Sequence, residues 1–396
     1  MDDVQVAVVG ADPAGLLIAL GLARAGIEVL VLDTGRDDIA SANCAHDWSV
    51  LPGLDRLGIL DDALRSGFAD PRWCLFVLRT GERIDFDLGA ALRGVTPFPF
   101  TLHLEHSRLC GILEHHLARE ATASVERDVR VTGLVQDATG VDLGIGTADG
   151  ARRVRARWVV GADGTSSTVR RLLGLGFPGY TWPERSVVAL VEADFAALGY
   201  ASTTLQVDDR HGAVVQKVND RRWRYTFAEP LTRHEEGSGV RIPRVLSAVL
   251  GEAPFRIVDW HAARMHERSA ERYRLGRVLL AGDAAHVTNR MIGHSPTSAF
   301  FDAFRLIEAL TAVLAERAPE SVLDAYAEDR RRMFHQHVSP IGAARKHLVS
   351  QISDAERLET ELESYRRASV DTDELRDVLL LNSELEDREL VPPSAR

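Results

Sequence analysis

The stretch Val4-Gln5-Val6-Ala7-Val8-Val9-Gly10-Ala11-Asp12-Pro13-Ala14-Gly15-Leu16-Leu17-Ile18-Ala19-Leu20 decides the fold of this chain of 396 residues. An apolar run typical of a strand enters a glycine turn, and an apolar run typical of a helix leaves it. This is the layout of the G-x-G-x-x-G dinucleotide site, where the helix N-terminus receives the pyrophosphate. The turn residues Gly10, Ala14 and Gly15 are therefore candidate cofactor contacts.

Asp12 interrupts this fingerprint, because it stands where the middle glycine normally lets the backbone approach the pyrophosphate. A carboxylate there fills the space and sets a negative charge against a negative ligand. The alternative is structural. Asp12 precedes Pro13, and an acidic N-cap before a proline at the first helical position is an ordinary helix start worth about 1 kcal/mol. Both interpretations are open at this point, and Asp12 is kept among the candidate cofactor contacts.

The turn belongs to a predicted βαβ unit. A helix is expected from about Pro13 to Ala25, with Gly26 as its stop, and a strand over Glu28–Leu32 ends at Asp33. Asp33 falls close to the distance of about 20 residues at which an acid takes the ribose hydroxyls of a dinucleotide. The pattern favours this ligand role over that of a simple turn residue.

The composition excludes several classes of protein. Hydrophobic residues make up 45% of the chain and charged residues 27%, which is ordinary for a globular protein. A net charge of −11 without a long basic run argues against a nucleic-acid partner. No apolar run reaches the length of about 18 residues that predicts a membrane span. The start Met1-Asp2-Asp3 does not resemble a signal peptide, and the three cysteines show no metal spacing, so a cytoplasmic protein without a metal is expected.

Two further glycine turns follow buried strands. Gly161-Ala162-Asp163-Gly164-Thr165 comes after Trp158–Val160, and Gly282-Asp283-Ala284-Ala285-His286 comes after a strand predicted over Arg277–Ala281. Between them, the segment 180–260 is rich in strand patterns and turn residues. The nucleotide-binding unit is therefore expected to be discontinuous, with a sheet domain inserted before its closing strand.

These three turns, in this order, resemble those of the single-component FAD-dependent aromatic hydroxylases with the p-hydroxybenzoate hydroxylase fold, over about residues 4–331. The resemblance implies an α/β fold with a three-layer nucleotide-binding domain, an inserted and mostly antiparallel sheet domain, and C-terminal helices. The expected boundaries are 1–72, 101–178 and 270–330 for the FAD-binding domain, 73–100 and 179–269 for the substrate domain, and 331–396 for the C-terminal helices.

The resemblance also implies a chemistry: FAD reduced by NADPH or NADH reacts with oxygen and transfers one oxygen atom to an aromatic or polyketide-like small molecule. In that family the first turn receives the pyrophosphate, and the acid matching Asp33 binds the adenosine ribose. The acid matching Asp163 supports the nucleotide site. The segment matching Gly282 and Asp283 binds the ribityl chain. His106 stands where relatives often place an arginine on FAD.

The loop Asn289–Ala299 departs from the glycine-rich stretch on which relatives rest the flavin ring. Gly293 alone remains of the glycines, and Pro296 removes an amide donor. The loop is expected to shape a substrate pocket, with a helix from about Thr297 to Arg317 capped by Ser295 or Thr297. The positions at which glycine or asparagine is replaced are Ile292, Ser295, Thr297 and Ala299.

Three functional hypotheses follow. The first is an FAD-dependent monooxygenase acting on an aromatic or polyketide-like molecule, in secondary metabolism or aromatic degradation, with a rearranged flavin loop. The second is a family member that has lost FAD and catalyses cyclisation or isomerisation, and the third is a binding protein without catalysis. His286 and His294 are the candidates for a catalytic base, with partly exposed loop histidines as the structural alternative.

Overall fold

The computed structural model describes residues 2–35, 44–292, 294–380 and 390. Its strands form two sheets of eight strands and one of three. In chain order the strands are β1 (Asp2–Val9), β2 (Val29–Leu32), β3 (Ala45–His46), β4 (Phe68–Asp70), β5 (Arg72–Val77), β6 (Glu82–Asp87), β7 (Thr101–His103), β8 (Ala123–Glu126), β9 (Arg130–Gln136), β10 (Val141–Thr147), β11 (Gly150–Gly161), β12 (Gly179–Glu192), β13 (Thr203–Val207), β14 (Ala213–Lys217), β15 (Arg222–Pro230), β16 (Arg256–Ser269), β17 (Arg274–Leu275), β18 (Val278–Leu280) and β19 (His286–Val287).

The helices surround these sheets and dominate the C-terminal part. They are α1 (Pro13–Arg24), α2 (Leu51–Arg56), α3 (Leu60–Ser66), α4 (Leu88–Ala91), α5 (His106–Leu117), α6 (Thr168–Leu172), α7 (Ser238–Leu250), α8 (His294–Leu314), α9 (Ser321–Met333), α10 (Ser339–Ser350), α11 (Ala355–Val370) and α12 (Thr372–Leu380). In the ranges that the structure describes, no helix is both long and apolar enough to cross a membrane.

The first large sheet has the strand order β17-β18-β11-β1-β2-β8, with β10 and β9 attached to β11. Strands β8, β2, β1, β11 and β18 are parallel, so their carboxyl ends meet at one edge. Val9 lies beside both Gly161 and Leu32 in register, which brings the first two glycine turns and Asp33 together. The βαβ unit predicted from the sequence is confirmed, and its helix ends at Arg24.

The second large sheet has the order β19-β16-β12-β15-β14-β13-β5-β6, and its pairs are antiparallel except for β13 and β5. On the outer face of this sheet Trp223, Tyr225 and Phe227 pack with Ile242 and Leu246 of α7 and form an apolar core. Side chains of β15 alternate between the two faces, so the even-numbered residues point to the inner face. The predicted α/β fold with an inserted sheet and C-terminal helices is confirmed.

Helix α8 differs from the expectation at its start. It includes His294, three residues before the predicted start at Thr297, and it ends at Leu314. The expected cap is wrong because Ser295 lies inside the helix, where its Oγ accepts a hydrogen bond of 3.0 Å from the backbone N–H of Thr288. Ser295 thus ties the helix to the preceding strand segment, which the sequence pattern could not indicate.

Candidate functional site

The first glycine turn is packed tightly against the second. Gly10 has φ +109°, and a Cβ there would lie 2.2 Å from the carbonyl oxygen of Ala162. A Cβ at Gly15 would lie 2.1 Å from the carbonyl oxygen of Gly10. Since real Cβ atoms do not approach so closely, both positions require glycine. A Cβ added at Gly282 would lie 3.5 Å from the Cβ of Ala14, so all three turns converge.

Asp12 occupies the N-cap position of α1, but its side chain makes no capping hydrogen bond. The interpretation of Asp12 as a side-chain cap is therefore wrong. Its carboxylate instead lies beside the imidazole of His106 at the start of α5, with 3.5 Å between Oδ1 and Nε2. Half of the Asp12 side chain is exposed, and it caps none of the first N–H groups of α1. These groups remain available to an anion.

Asp33 lies at the end of β2 against the first turn. Its Oδ1 accepts a hydrogen bond of 3.2 Å from the N–H of Ala11, and its Oδ2 accepts one of 3.0 Å from the N–H of Gly35. Arg127 also donates to Oδ2 at 2.8 Å. The carboxylate is thus fixed beside the turn, as a ribose ligand must be. The ribose role itself stays a prediction.

Asp163 is a half-buried carboxylate whose hydrogen bonds are made within its own loop. Its oxygens accept from the hydroxyl of Ser167 and from the N–H groups of Thr168 and Val169, at 2.6 and 3.1 Å for the two amides. Burial raises the pKa of Asp163, while these hydrogen bonds lower it. The contacts favour a role in starting α6, and support of the nucleotide site through the loop backbone stays a prediction.

The third turn places Asp283 near the first. Thr165 donates to Oδ2 of Asp283 at 3.2 Å. Burial raises the pKa of Asp283, the positive charges of Arg290 and His286 lower it, and the Asp12 carboxylate raises it again. Asp12 and Asp283 are therefore close enough to repel each other.

The structure brings most of the predicted cofactor-binding residues to one edge of the parallel sheet. They are Gly10, Ala14, Gly15, Asp12, Asp33, His106, Gly282 and Asp283. Gly293 lies outside the described residues.

His286 is part of a fully buried network. Its Nε2 lies 2.8 Å from Oδ2 of Asp302, and Oδ1 of Asp302 accepts a hydrogen bond of 2.8 Å from Nε of Arg330. The imidazole packs between the rings of Tyr273 and Phe334, with centroids 5.8 and 5.0 Å away. His286 has no exposed surface and is not a partly exposed loop histidine. Its surroundings favour a structural role, and the role as a catalytic base stays a prediction.

The Asp302 carboxylate also holds the third glycine turn, because the N–H of Gly282 donates to its Oδ2 at 2.9 Å. The sequence reasoning missed Asp302 and its partner Arg330. A signal was present, since Asp302 is an acid within the otherwise apolar run Phe300-Phe301-Asp302-Ala303 of a buried helix. A charge in such a place is normally paired.

His294 is also buried, and it contacts α10. Nη1 of Arg345 donates to Nε2 of His294 at 2.7 Å, so this nitrogen is the acceptor of a neutral imidazole. Burial and the neighbouring guanidinium hold the pKa of His294 well below its ordinary value. Next to it, Met291 and Ile292 pack with Leu205 and Val214 of the second sheet. This part of the loop, which lacks the glycines of the family pattern, thus lies on the inner face of the second sheet.

We expect His294→Ala to lower the free energy of unfolding by about 1.5–3 kcal/mol, because the buried imidazole is lost and the half-buried guanidinium of Arg345 loses a hydrogen-bond acceptor. His294→Gln should recover part of this loss, since its amide oxygen can accept in the same direction. Denaturant unfolding of the three proteins measures the effect. An alanine variant as stable as the unsubstituted protein would show that the Arg345 contact does not contribute.

The comparisons with known proteins decide the family. Residues 3–340 match the family model described as FAD binding domain. The chain belongs to this family. A 6-hydroxy-3-succinoylpyridine 3-monooxygenase of Pseudomonas putida (strain DSM 28022 / S16) is 37% identical over 379 residues, covering 95% of this chain and 96% of that protein. A para-nitrophenol 4-monooxygenase of Pseudomonas sp. (strain WBC-3) is 32% identical, covering 98% of this chain and 97% of that protein.

A solved structure gives the same result. The crystal structure of p-nitrophenol 4-monooxygenase from Pseudomonas putida DLL-E4 superposes with a TM-score of 0.93 at 33% identity, covering 98% of this chain and 100% of that chain. The chain is an FAD-dependent monooxygenase, and the suspected family is confirmed. The similarity runs over nearly the full length of named monooxygenases, so it favours oxygenation over the non-redox and binding alternatives.

The first turn of the monooxygenase fits a bound FAD. The N–H groups at the start of α1 receive no cap from Asp12, and the carboxylate of Asp33 is fixed beside the same turn. Asp12 is the feature that opposes the fit, but its carboxylate lies beside His106 and makes no hydrogen bond to the helix N-terminus. The turn can therefore receive a pyrophosphate at a cost in affinity. No group of side chains with metal-ligand geometry occurs in the described ranges.

Proposed function

We propose that this monooxygenase hydroxylates a small aromatic ring that already carries a hydroxyl group, with NADPH or NADH as reductant, in the cytoplasm. The named substrates of the two relatives described above support this class, since one is a hydroxypyridine and the other a nitrophenol. The setting that we propose is aromatic degradation. A larger polyketide-like substrate remains the second candidate, favoured by the aklavinone-11 hydroxylase that matches at 27% identity.

The observation that carries the proposal is the position of the loop that follows Gly282-Asp283. Met291 and Ile292 of this loop pack on the inner face of the second sheet, together with Met265 and Val214. The nucleotide edge and the inner face of the second sheet are therefore neighbours, and in this proposal the substrate binds between them. Apolar walls with a few polar groups are typical of sites for small aromatic ligands.

Each part of the cleft has a role in this proposal. Gly10, Ala14 and Gly15 would receive the pyrophosphate, Asp33 the adenosine ribose and Asp283 the ribityl chain. Bound FAD supplies the redox chemistry and the transfer of oxygen. The chain positions the ring of the substrate and excludes water from it. In the same proposal the domain boundaries are those expected from the sequence, with 73–100 and 179–269 as the substrate domain.

The test is a substrate panel. The FAD-loaded protein is incubated with NADH or NADPH and with hydroxypyridines, substituted phenols and a tricyclic polyketide. We expect a hydroxylated single ring to stimulate oxidation of the reductant and to gain one oxygen atom, as measured by mass spectrometry. Stimulation by the polyketide alone would favour the second candidate. The proposal would be contradicted if none of the aromatic compounds changed the rate at which the reductant is oxidised and if no oxygenated product were formed.

A further inference from the structure

Helices α1 and α5 pack side by side and run in the same direction. Their first turns are linked by the contact of 3.5 Å between Oδ1 of Asp12 and Nε2 of His106. Near their last turns, Arg24 donates hydrogen bonds of 3.1 Å to Glu120 and 3.0 Å to Nδ1 of His116. The N-termini of two parallel helices, each with the positive end of its dipole, therefore meet at the first glycine turn.

Both helices begin at an acidic residue that does not cap them. Asp12 and Glu105 occupy the two N-cap positions, and neither side chain accepts a hydrogen bond from its own helix. Oε2 of Glu105 lies instead 3.2 Å from Nε of Arg108, so the charge of Glu105 is offset within α5. The side chain beside Asp12 is that of His106, which offsets the charge of Asp12 when its imidazole is protonated.

The sequence departs from the family pattern at both members of this pair. Asp12 replaces the middle glycine of the first turn, and His106 stands where relatives often place an arginine on FAD. An arginine always carries its positive charge, whereas an imidazole gains and loses its proton between about pH 5 and about pH 8. At the place where this chain adds a negative charge, it therefore has a cation that depends on pH.

Further titratable and charged groups face the pair from other elements. Burial, together with the charge of His106, lowers the pKa of His46 in β3 to about 4, so His46 is neutral near pH 7. Asp283 of the third turn lies close to Asp12, and burial raises the pKa of Asp283 while the positive charge of Arg290 lowers it. Asp283 is therefore the group whose titration an experiment has to distinguish from that of His106.

We propose that His106 binds the pyrophosphate of FAD as an imidazolium, so that one proton on this side chain offsets Asp12 and completes the cofactor site. The position of the pyrophosphate at the first turn rests on the proposed function, whereas the opposed charges rest on the pair itself. A pyrophosphate beside His106 favours the protonated imidazole, so FAD binding takes up protons near neutral pH. The affinity for FAD is therefore highest at acidic pH and decreases as the pH rises through the range in which histidine titrates.

Calorimetric titration of the FAD-free protein with FAD, from about pH 6 to about pH 8, tests this inference. We expect the affinity to fall by about tenfold over this range, the effect of one charge at contact distance near a protein surface. Titrations at about pH 7 in two buffers of different ionisation enthalpy should show uptake of up to about one proton per FAD. His106→Gln should bind FAD weakly at every pH and take up no proton. His106→Arg should bind FAD tightly at every pH, because its charge is permanent.

The matched control is His115→Gln, which changes an exposed histidine in the last turn of the same helix and should leave the pH dependence unchanged. A pH dependence that persists in His106→Gln would assign the titration to Asp283 and overturn the inference. An affinity that is constant over this pH range, binding without proton uptake, or no FAD binding at any pH would also overturn it. Because these titrations need no turnover, a protein that binds FAD as expected but hydroxylates no aromatic compound contradicts the proposed function alone.

Discussion

Asp302→Asn is expected to lower the free energy of unfolding by about 3–5 kcal/mol, the usual cost of removing one partner of a buried ion pair. Asp302 and Arg330 have no exposed surface, and the same carboxylate contacts His286 and the N–H of Gly282. The substitution leaves the guanidinium of Arg330 buried next to a neutral amide. Denaturant unfolding, followed by circular dichroism, measures the loss.

A surface ion pair provides the control. Asp324 pairs with Arg274 at 3.1 Å, and 62% of its side chain is exposed. Asp324→Asn should therefore change stability by no more than about 1 kcal/mol. If the two asparagine variants are equally stable, the buried network is not the structural element that we describe.

The same network makes the free energy of unfolding depend on pH in the acidic range. Burial alone would raise the pKa of Asp302, but His286 and Arg330 lower it to about 2. Because the ordinary pKa is about 4, the unfolded chain takes up this proton first as the pH falls. The stabilisation by Asp302 is present above about pH 4 and is lost between about pH 4 and pH 2. Asp302→Asn should flatten this part of the stability profile.

Asp12→Gly is expected to tighten FAD binding by about 10- to 100-fold. Two charges about 4 Å apart repel by about 1 kcal/mol in water and about 4 kcal/mol in a surface-like medium. Half of the Asp12 side chain is exposed, which places the effect in the lower part of that range. Glycine also restores room at the turn, and no capping hydrogen bond is lost.

Titration of FAD-free protein with FAD, followed by quenching of flavin fluorescence, measures the change. Asp12→Asn is the matched variant, because it keeps the size of the side chain and removes the charge. An affinity gain in both variants assigns the effect to charge, and a gain in Asp12→Gly alone assigns it to size. Unchanged affinity in both would show that Asp12 does not hinder the pyrophosphate.

Local patterns in the sequence were sufficient to predict the nucleotide-binding core. The apolar run before Gly10, the glycine turn and the run after it form β1 and α1, and Asp33 lies beside Ala11 as the spacing predicts. The segment predicted as the closing strand forms β18, next to β11. These features depend on residues close in sequence, whose periodicity reports burial directly.

The partners of charged side chains could not be predicted in this way. Asp12 and His106 each stand out in the sequence as departures, but they are far apart along the chain and only the fold brings them within 3.5 Å. The resemblance places Asp163 at the nucleotide site, and only the structure shows that its carboxylate bonds the start of α6; its role toward the nucleotide stays a prediction.

The visible absorption spectrum of the purified protein, before and after addition of FAD, is the most direct test that this chain is a flavin enzyme despite Asp12. We predict flavin bands after gel filtration, with FAD bound in a ratio of about one per chain once it has been supplied in excess. A protein that stays colourless after incubation with excess FAD and gel filtration would contradict FAD-dependent oxygenation by this cleft.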